Sequence, residues 1–186
     1  MYWNSKDYEQ MAQLAIEIYL DYGISEFPID EKKLCKKMGI LLLPYTDFPK
    51  EILDISNDAF LIPATKSHSP MILYNDKIVS QGRQRFSIFH EIKHYANGDT
   101  NKFNRYDEDM ADYFARYMMC PIPILIRREI NDIATIMSNY NVSHDAAKNV
   151  LTNLKNRRKR YKNKIFDFEM PLINLIEKEG GDSTKK

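Results

Sequence analysis

His90 and His94 stand four residues apart, with Glu91 directly after the first. On an α-helix, residues at that spacing lie one turn above each other, so two imidazoles can reach one ion. The glutamate between them can face a water beside that ion and take its proton. The predicted chemistry is metal-assisted hydrolysis, with zinc on His90, His94 and a third protein ligand and one position left open. Glu91 would be its general base.

The surrounding helix can be tested against that idea at about 100° per residue. With Phe86 at zero, His90, Ser87, His94 and Glu91 fall between about 40° and 140°. Phe89, Ala96, Ile92, Ile88 and Tyr95 fall between about 180° and 300°. One face can bury and the other carries both histidines and the glutamate, as a cleft-lining helix requires. Chance could produce such a triplet, but two of only four histidines in the chain fall here.

The third ligand is sought on the next predicted helix, Asp107-Glu108-Asp109-Met110-Ala111-Asp112-Tyr113-Phe114-Ala115. Its apolar stripe is Ala111, Phe114, Ala115 and Met118. Glu108 sits at the edge of the stripe, Asp109 nearly opposite, and Asp107 in a position suited to an N-cap. Glu108 is therefore the best-placed metal ligand. Asp112, one turn on, could accept the remaining ring N–H of a ligating histidine. The bland alternative is that these acids only complement the positive helix N-terminus. It does not explain Asp112 on the same face as Glu108.

These helices need a scaffold. Ser5 to Tyr22 has the apolar spacing of an amphipathic helix stopped by Gly23, and Asp30 can cap a second helix through Met38. Ile40 to Leu43, Ala59 to Ile62 and Met71 to Tyr74 are short apolar runs bounded by Pro44, Pro63 and Asn75-Asp76, and predict strands. Gly82 to Asn97 is the predicted histidine helix, with Gly98 as its cap, and a polar loop spans Asp99 to Tyr106. Asp107 is the expected cap of the next helix, to Met119. Further helices fit Ile124 to Asn139 and Ser143 to about Arg160. Phe166 to Ile176 is apolar enough to dock, and Gly180 to Lys186 reads as a frayed tail. Helices, then strands, then helices predict an α+β fold with a small, mainly antiparallel or mixed sheet and a C-terminal helical part.

Composition excludes several classes. The chain has 186 residues and a net charge of +1, which favours neither nucleic acid nor acidic substrates. Its two cysteines form no Cys-x-x-Cys pair, as in a reducing compartment. No secretory pattern opens the chain and no apolar run reaches membrane length, so we read it as cytoplasmic with no membrane partner. Charge is uneven, however. Lys155 to Lys164 holds seven basic residues and no acid, and taking them from the net +1 leaves −6 elsewhere. This run follows a helix–turn–helix-like pair, so direct nucleic-acid contact through Lys155–Lys164 is conceivable. The pair lacks obvious base-reading side chains, which favours a solvated helix end.

Arg83-Gln84-Arg85-Phe86-Ser87-Ile88-Phe89-His90-Glu91-Ile92-Lys93-His94-Tyr95 resembles the central motif of the ImmA/IrrE-type metallopeptidases. So does Glu108-Asp109-Met110-Ala111-Asp112-Tyr113-Phe114-Ala115, which runs on to Cys120-Pro121. The resemblance covers roughly residues 10 to 155. It implies a gluzincin-like site: His90, His94 and Glu108 on one zinc per chain, Glu91 as base. It also implies a substrate class, because known relatives act on helix–turn–helix transcriptional repressors. Three positions depart from the family pattern. Lys93 stands where a small residue is usual, and its helical angle predicts that it reaches solvent. Met110 replaces a frequent second glutamate, and Cys120 replaces a usual methionine.

The resulting expectation is a metallopeptidase core at 1–121, a helix–turn–helix-like extension packed on it at 122–164, and a docking segment with tail at 165–186. Its function would be limited, site-specific cleavage of a regulatory protein, a helix–turn–helix repressor. The alternative from another class is a non-catalytic module that binds a partner or DNA on the same fold. The intact His90, Glu91, His94 and Glu108 set argues against it, since a binding module has no use for the base.

Overall fold

Three short apolar runs pair into one sheet. In the computed structural model, which describes residues 5–99 and 104–182, they are β1 (Leu41–Pro44), β2 (Ala59–Ile62) and β3 (Met71–Tyr74), in the order β1-β3-β2. β1 runs parallel to β3 with Leu42 opposite Ile72, and β2 runs antiparallel with Leu61 opposite Ile72. The sheet is mixed, and the fold is α+β as the sequence predicts. The central strand is the most apolar in its surroundings. Ile72, Leu73 and Tyr74 are all buried, and each fully buried aliphatic side chain contributes about 1.5–3 kcal/mol.

The chain divides into two units, Asp30–Ala115 and the combination of Met1–Ile29 with Arg116–Lys186. The first unit holds α2 (Glu31–Lys37), the sheet, α3 (Gln81–Ala96) and α4 as far as Ala115 (α4, Arg105–Met119). α3 lies against β2 and β3, and α2 against β1 and α3. Ile88, Phe89 and Ile92 are the buried side of α3, as the angular pattern requires. The stripe on α4 is buried as well: Ala111, Phe114 and Ala115 have no exposure.

The second unit is helical. α1 (Ser5–Asp21) packs with α8 (Met170–Asp182), α5 (Ile122–Arg127) with α7 (His144–Tyr161), and α6 (Ile133–Tyr140) with α7. Tyr19 donates its hydroxyl proton to the Met118 carbonyl inside this unit. The single helix expected from Ile124 to Asn139 is two. After α5 the Glu129 N–H bonds the Ile126 carbonyl and the Ile130 N–H reaches back to Leu125. That closing pattern needs a left-handed residue, and Glu129 supplies it at φ 54°. No glycine marks the break. Asp132 then caps α6, and Ser143 caps α7 as expected, each accepting from a backbone N–H three residues on. α8 continues to Asp182, past the expected start of the tail, and 183–186 lie outside the described residues. No described helix is long and apolar enough to cross a membrane.

Candidate metal centre

α3 is anchored before it reaches the histidines. Ser80 caps it by accepting from the Arg83 N–H. The Arg83 guanidinium makes a two-pronged pair with Asp58 at 2.8 and 3.0 Å. Gln84 donates to the Asp76 and Ile78 carbonyls, and buried Arg85 pairs with Glu31 at 3.3 Å. These contacts tie the first turns to the loops flanking the sheet and to the start of α2. They set the helix's rotation, and so the direction in which His90, Glu91 and His94 point.

α4 begins earlier than the sequence suggests. Its cap is Asn104, whose side chain accepts from the Tyr106 and Asp107 N–H groups. Asp107, expected to be the cap, instead accepts with its carboxylate from the Asn104 N–H at 3.2 Å. The two residues therefore cap reciprocally. Glu108 follows in the next position.

The structure brings the expected residues together. One donor atom each from His90, His94 and Glu108 forms a group within 4.8 Å. The two Nε2 atoms are 3.2 Å apart. Glu108 places a carboxylate oxygen 3.2 Å from His90 Nε2 and another 3.6 Å from His94 Nε2. His94 is 1% exposed, whereas the Glu108 side chain is 47% exposed, so the group opens to solvent on the α4 side. Asp109 is not part of it.

Both imidazoles are held from behind. Asp112 accepts from His90 Nδ1 at 3.0 Å, the arrangement the sequence suggested. Asp99 accepts from His94 Nδ1 at 2.8 Å, which the sequence did not suggest. Asp99 arrives there through the helix end. Gly98, at φ 65°, lets its N–H bond the Tyr95 carbonyl and the Asp99 N–H bond the His94 carbonyl. This turn folds the chain back over the last helical turn. Asp99 also accepts from Asn97 and Lys93, each at 2.5 Å. Lys93 does not reach solvent as expected. It is 1% exposed, and its ammonium lies on Asp99.

With both Nδ1 atoms donating to carboxylates, each Nε2 carries a lone pair when its ring is neutral. Two such nitrogens 3.2 Å apart can share a proton or a metal ion. Bonds of about 2.0–2.1 Å at a tetrahedral angle put neighbouring ligand atoms about 3.3 Å apart, close to the observed spacings. The donor set fits a divalent metal that takes nitrogen and oxygen ligands.

Electrostatics match. Burial pulls the His90 imidazole down, but the Asp112 hydrogen bond and the charges of Glu91, Glu108 and Asp112 more than offset it and leave it above its ordinary value. His94 lies below its ordinary value because burial, with His90 and Lys93 nearby, outweighs the Asp99 bond. Burial pushes the Asp99 carboxyl up, but bonds from Lys93, Asn97 and His94 hold it below the usual range. Glu91 is 8% exposed, and burial, with a contribution from Glu108, raises it to about 7. The His90 charge, and to a lesser degree a hydrogen bond from the Leu61 backbone, limit the rise. A carboxylate at that value is poised to take a proton and give it back near neutrality. Beside this group lies a cleft of about 350 Å³, lined by Leu61, Pro63, Ala64, Tyr95 and Gly98 together with His94 and Asp99.

A family model described as the IrrE N-terminal-like domain, a peptidase family, matches residues 35–152. No curated protein matches the chain.

Proposed function

The chain belongs to the family of peptidases with an IrrE N-terminal-like domain, and from that premise we propose that it is a zinc-dependent endopeptidase making limited cuts in a helix–turn–helix transcriptional repressor. The observation that carries the reading is the grouping of one ligand atom each from His90, His94 and Glu108 within 4.8 Å, with both imidazoles hydrogen-bonded from behind by carboxylates. His90, His94 and Glu108 would hold one zinc per chain. Zinc there would polarise a peptide carbonyl and make a bound water more acidic. Glu91 takes the proton of the attacking water and hands it to the leaving amine. Its burial raises the proton affinity of the carboxyl, which favours taking up that proton. The ring orientations needed for binding are set by Asp112 and Asp99 before any ion arrives, so little order remains to be imposed.

Metal analysis checks the ligand set. Wild-type protein should carry one zinc, His94→Ala none, and Glu108→Ala little, while Asp109→Ala should match wild type. Equal zinc in wild type and His94→Ala would remove the site. Zinc loss in Asp109→Ala but not in Glu108→Ala would mean the wrong acid was chosen.

The substrate class rests on the central motifs, which resemble those of enzymes acting on such repressors. Limited cutting also suits an apolar cleft of modest size beside the donor group. Incubating the zinc-loaded protein with the repressor encoded beside its gene should give one or two discrete fragments. Casein under the same conditions should be left largely intact. Rapid casein breakdown with the repressor untouched would defeat the substrate assignment, and cleavage of neither would favour a binding module.

A further inference from the structure

Lys93 is fully buried one residue before a proposed metal ligand, and its charge lies on Asp99 rather than in solvent. A buried ammonium is costly, and an apolar side chain of similar length would fill the same space without that cost. What the charge does there is visible in the geometry. The same Asp99 oxygen, Oδ2, accepts from Lys93 Nζ at 2.5 Å and from His94 Nδ1 at 2.8 Å. The other oxygen accepts from Asn97. Asp99 sits on a turn just beyond the helix end, and its N–H bonds the His94 carbonyl. Its carboxylate is placed by the side chains that meet it.

From this we infer that Lys93 is a positioning residue for the metal centre: it holds the Asp99 carboxylate against His94 Nδ1, and so keeps the His94 Nε2 lone pair aimed at the ion. The inference deepens the zinc reading above and rests on it. Lys93 Nζ bonds the Asp99 carboxylate and is not one of the grouped ligand atoms. Its effect passes through Asp99, which separates it from a lysine that merely glues the helix end.

The test is zinc affinity in a double-mutant cycle, measured by competition with a chromogenic chelator, with circular dichroism to confirm the fold. Asp99→Asn should weaken zinc by roughly ten- to a hundredfold, as loss of a partner behind a ligating histidine does. Lys93→Met should weaken it by about tenfold. In the Asp99→Asn background Lys93→Met should change affinity little, because the carboxylate it positions is gone. Cobalt in place of zinc supplies a second readout, since its visible absorption reports ligand geometry and should shift in both single variants. Wild-type affinity with an unchanged cobalt spectrum in folded Lys93→Met overturns the inference. So does an equal loss in both backgrounds. If Lys93→Met does not fold, Lys93→Gln in the same two backgrounds is judged by the same outcomes. Wild-type protein that binds no zinc defeats the zinc reading and this inference together, whereas zinc-binding wild type with a silent Lys93 defeats only the latter.

Discussion

Glu91→Gln should lose peptide cleavage by a factor of about 10² to 10⁴, bind zinc as wild type does, and yet make the metal-free protein more stable at pH 8. The first two effects follow from shape kept and basicity lost. The third follows from burial. The Glu91 carboxyl is raised from 4.5 to about 7, chiefly because the ionised form is taken out of water. Between those values the folded protein binds a proton that the unfolded chain does not. Stability therefore falls as pH rises through that window, and the full cost is present above about 7. At about 1.4 kcal/mol per tenfold change in proton affinity, the cost is on the order of 3 kcal/mol. Glutamine cannot ionise, so the variant should show no such loss between pH 5 and pH 8. Urea titrations of metal-stripped protein at both pH values measure it. A variant no more stable than wild type at pH 8 would place Glu91 in a wetter environment than the structure does. A variant that cleaves at wild-type rate would remove it as the base. Loss of cleavage with zinc binding retained would favour an enzyme over a binding module.

What could be read in advance was what helical geometry dictates locally. His90, Glu91 and His94 share a face because of their spacing alone, and Asp112 follows Glu108 by one turn. The sheet was legible because its strands are short apolar runs with clear boundaries, and the core stripe of α4 because it repeats at helical period. What escaped was decided by chain reversals. Lys93 lies between the two faces of α3, where an isolated helix sends a lysine to solvent. The turn at Gly98 brings Asp99 back over that position and gives the ammonium a buried partner. The signal was present: a glycine cap places the residue after it opposite the residue four before the glycine, here His94. The break between α5 and α6 left no such mark, because Glu129 takes the left-handed conformation that glycine normally signals. The start of α4 was misplaced because Asn104 and Asp107 are both good caps, and they share the work.

The basic run was also read too uniformly, and this sets the second large expectation: Arg157→Ala should destabilise the protein by about 3–5 kcal/mol, while Lys159→Ala and Arg160→Ala should each change it by no more than about 0.5 kcal/mol. Glu169 has no solvent exposure. Its two oxygens accept from the two terminal nitrogens of Arg157 at 2.9 and 2.7 Å, and one also accepts from the Phe166 N–H. The guanidinium donates to the Lys164 carbonyl and lies 4.1 Å over the Phe166 ring. Arg157 therefore fastens the segment after α7 to the start of α8, and truncating it leaves a buried carboxylate with no countercharge. Arg158 is occupied too, donating to Asn131 and Asn163. Lys159 and Arg160 are exposed. Neutralising Arg157, Arg158, Lys159 and Arg160 together would thus report on folding as well as on any attraction of this basic run to an acidic partner. A test of attraction must be confined to Lys159, Arg160 and their exposed neighbours Lys155 and Lys162, with cleavage rates compared at low and high salt. Thermal melts of the single variants decide the structural part. If Arg157→Ala melts with the wild type, or Lys159→Ala costs as much as Arg157→Ala, the pair with Glu169 is not what holds this segment. Substituting Arg157→Met and Glu169→Leu together should recover much of the loss, because the cost lies in the stranded charge rather than in the missing contact.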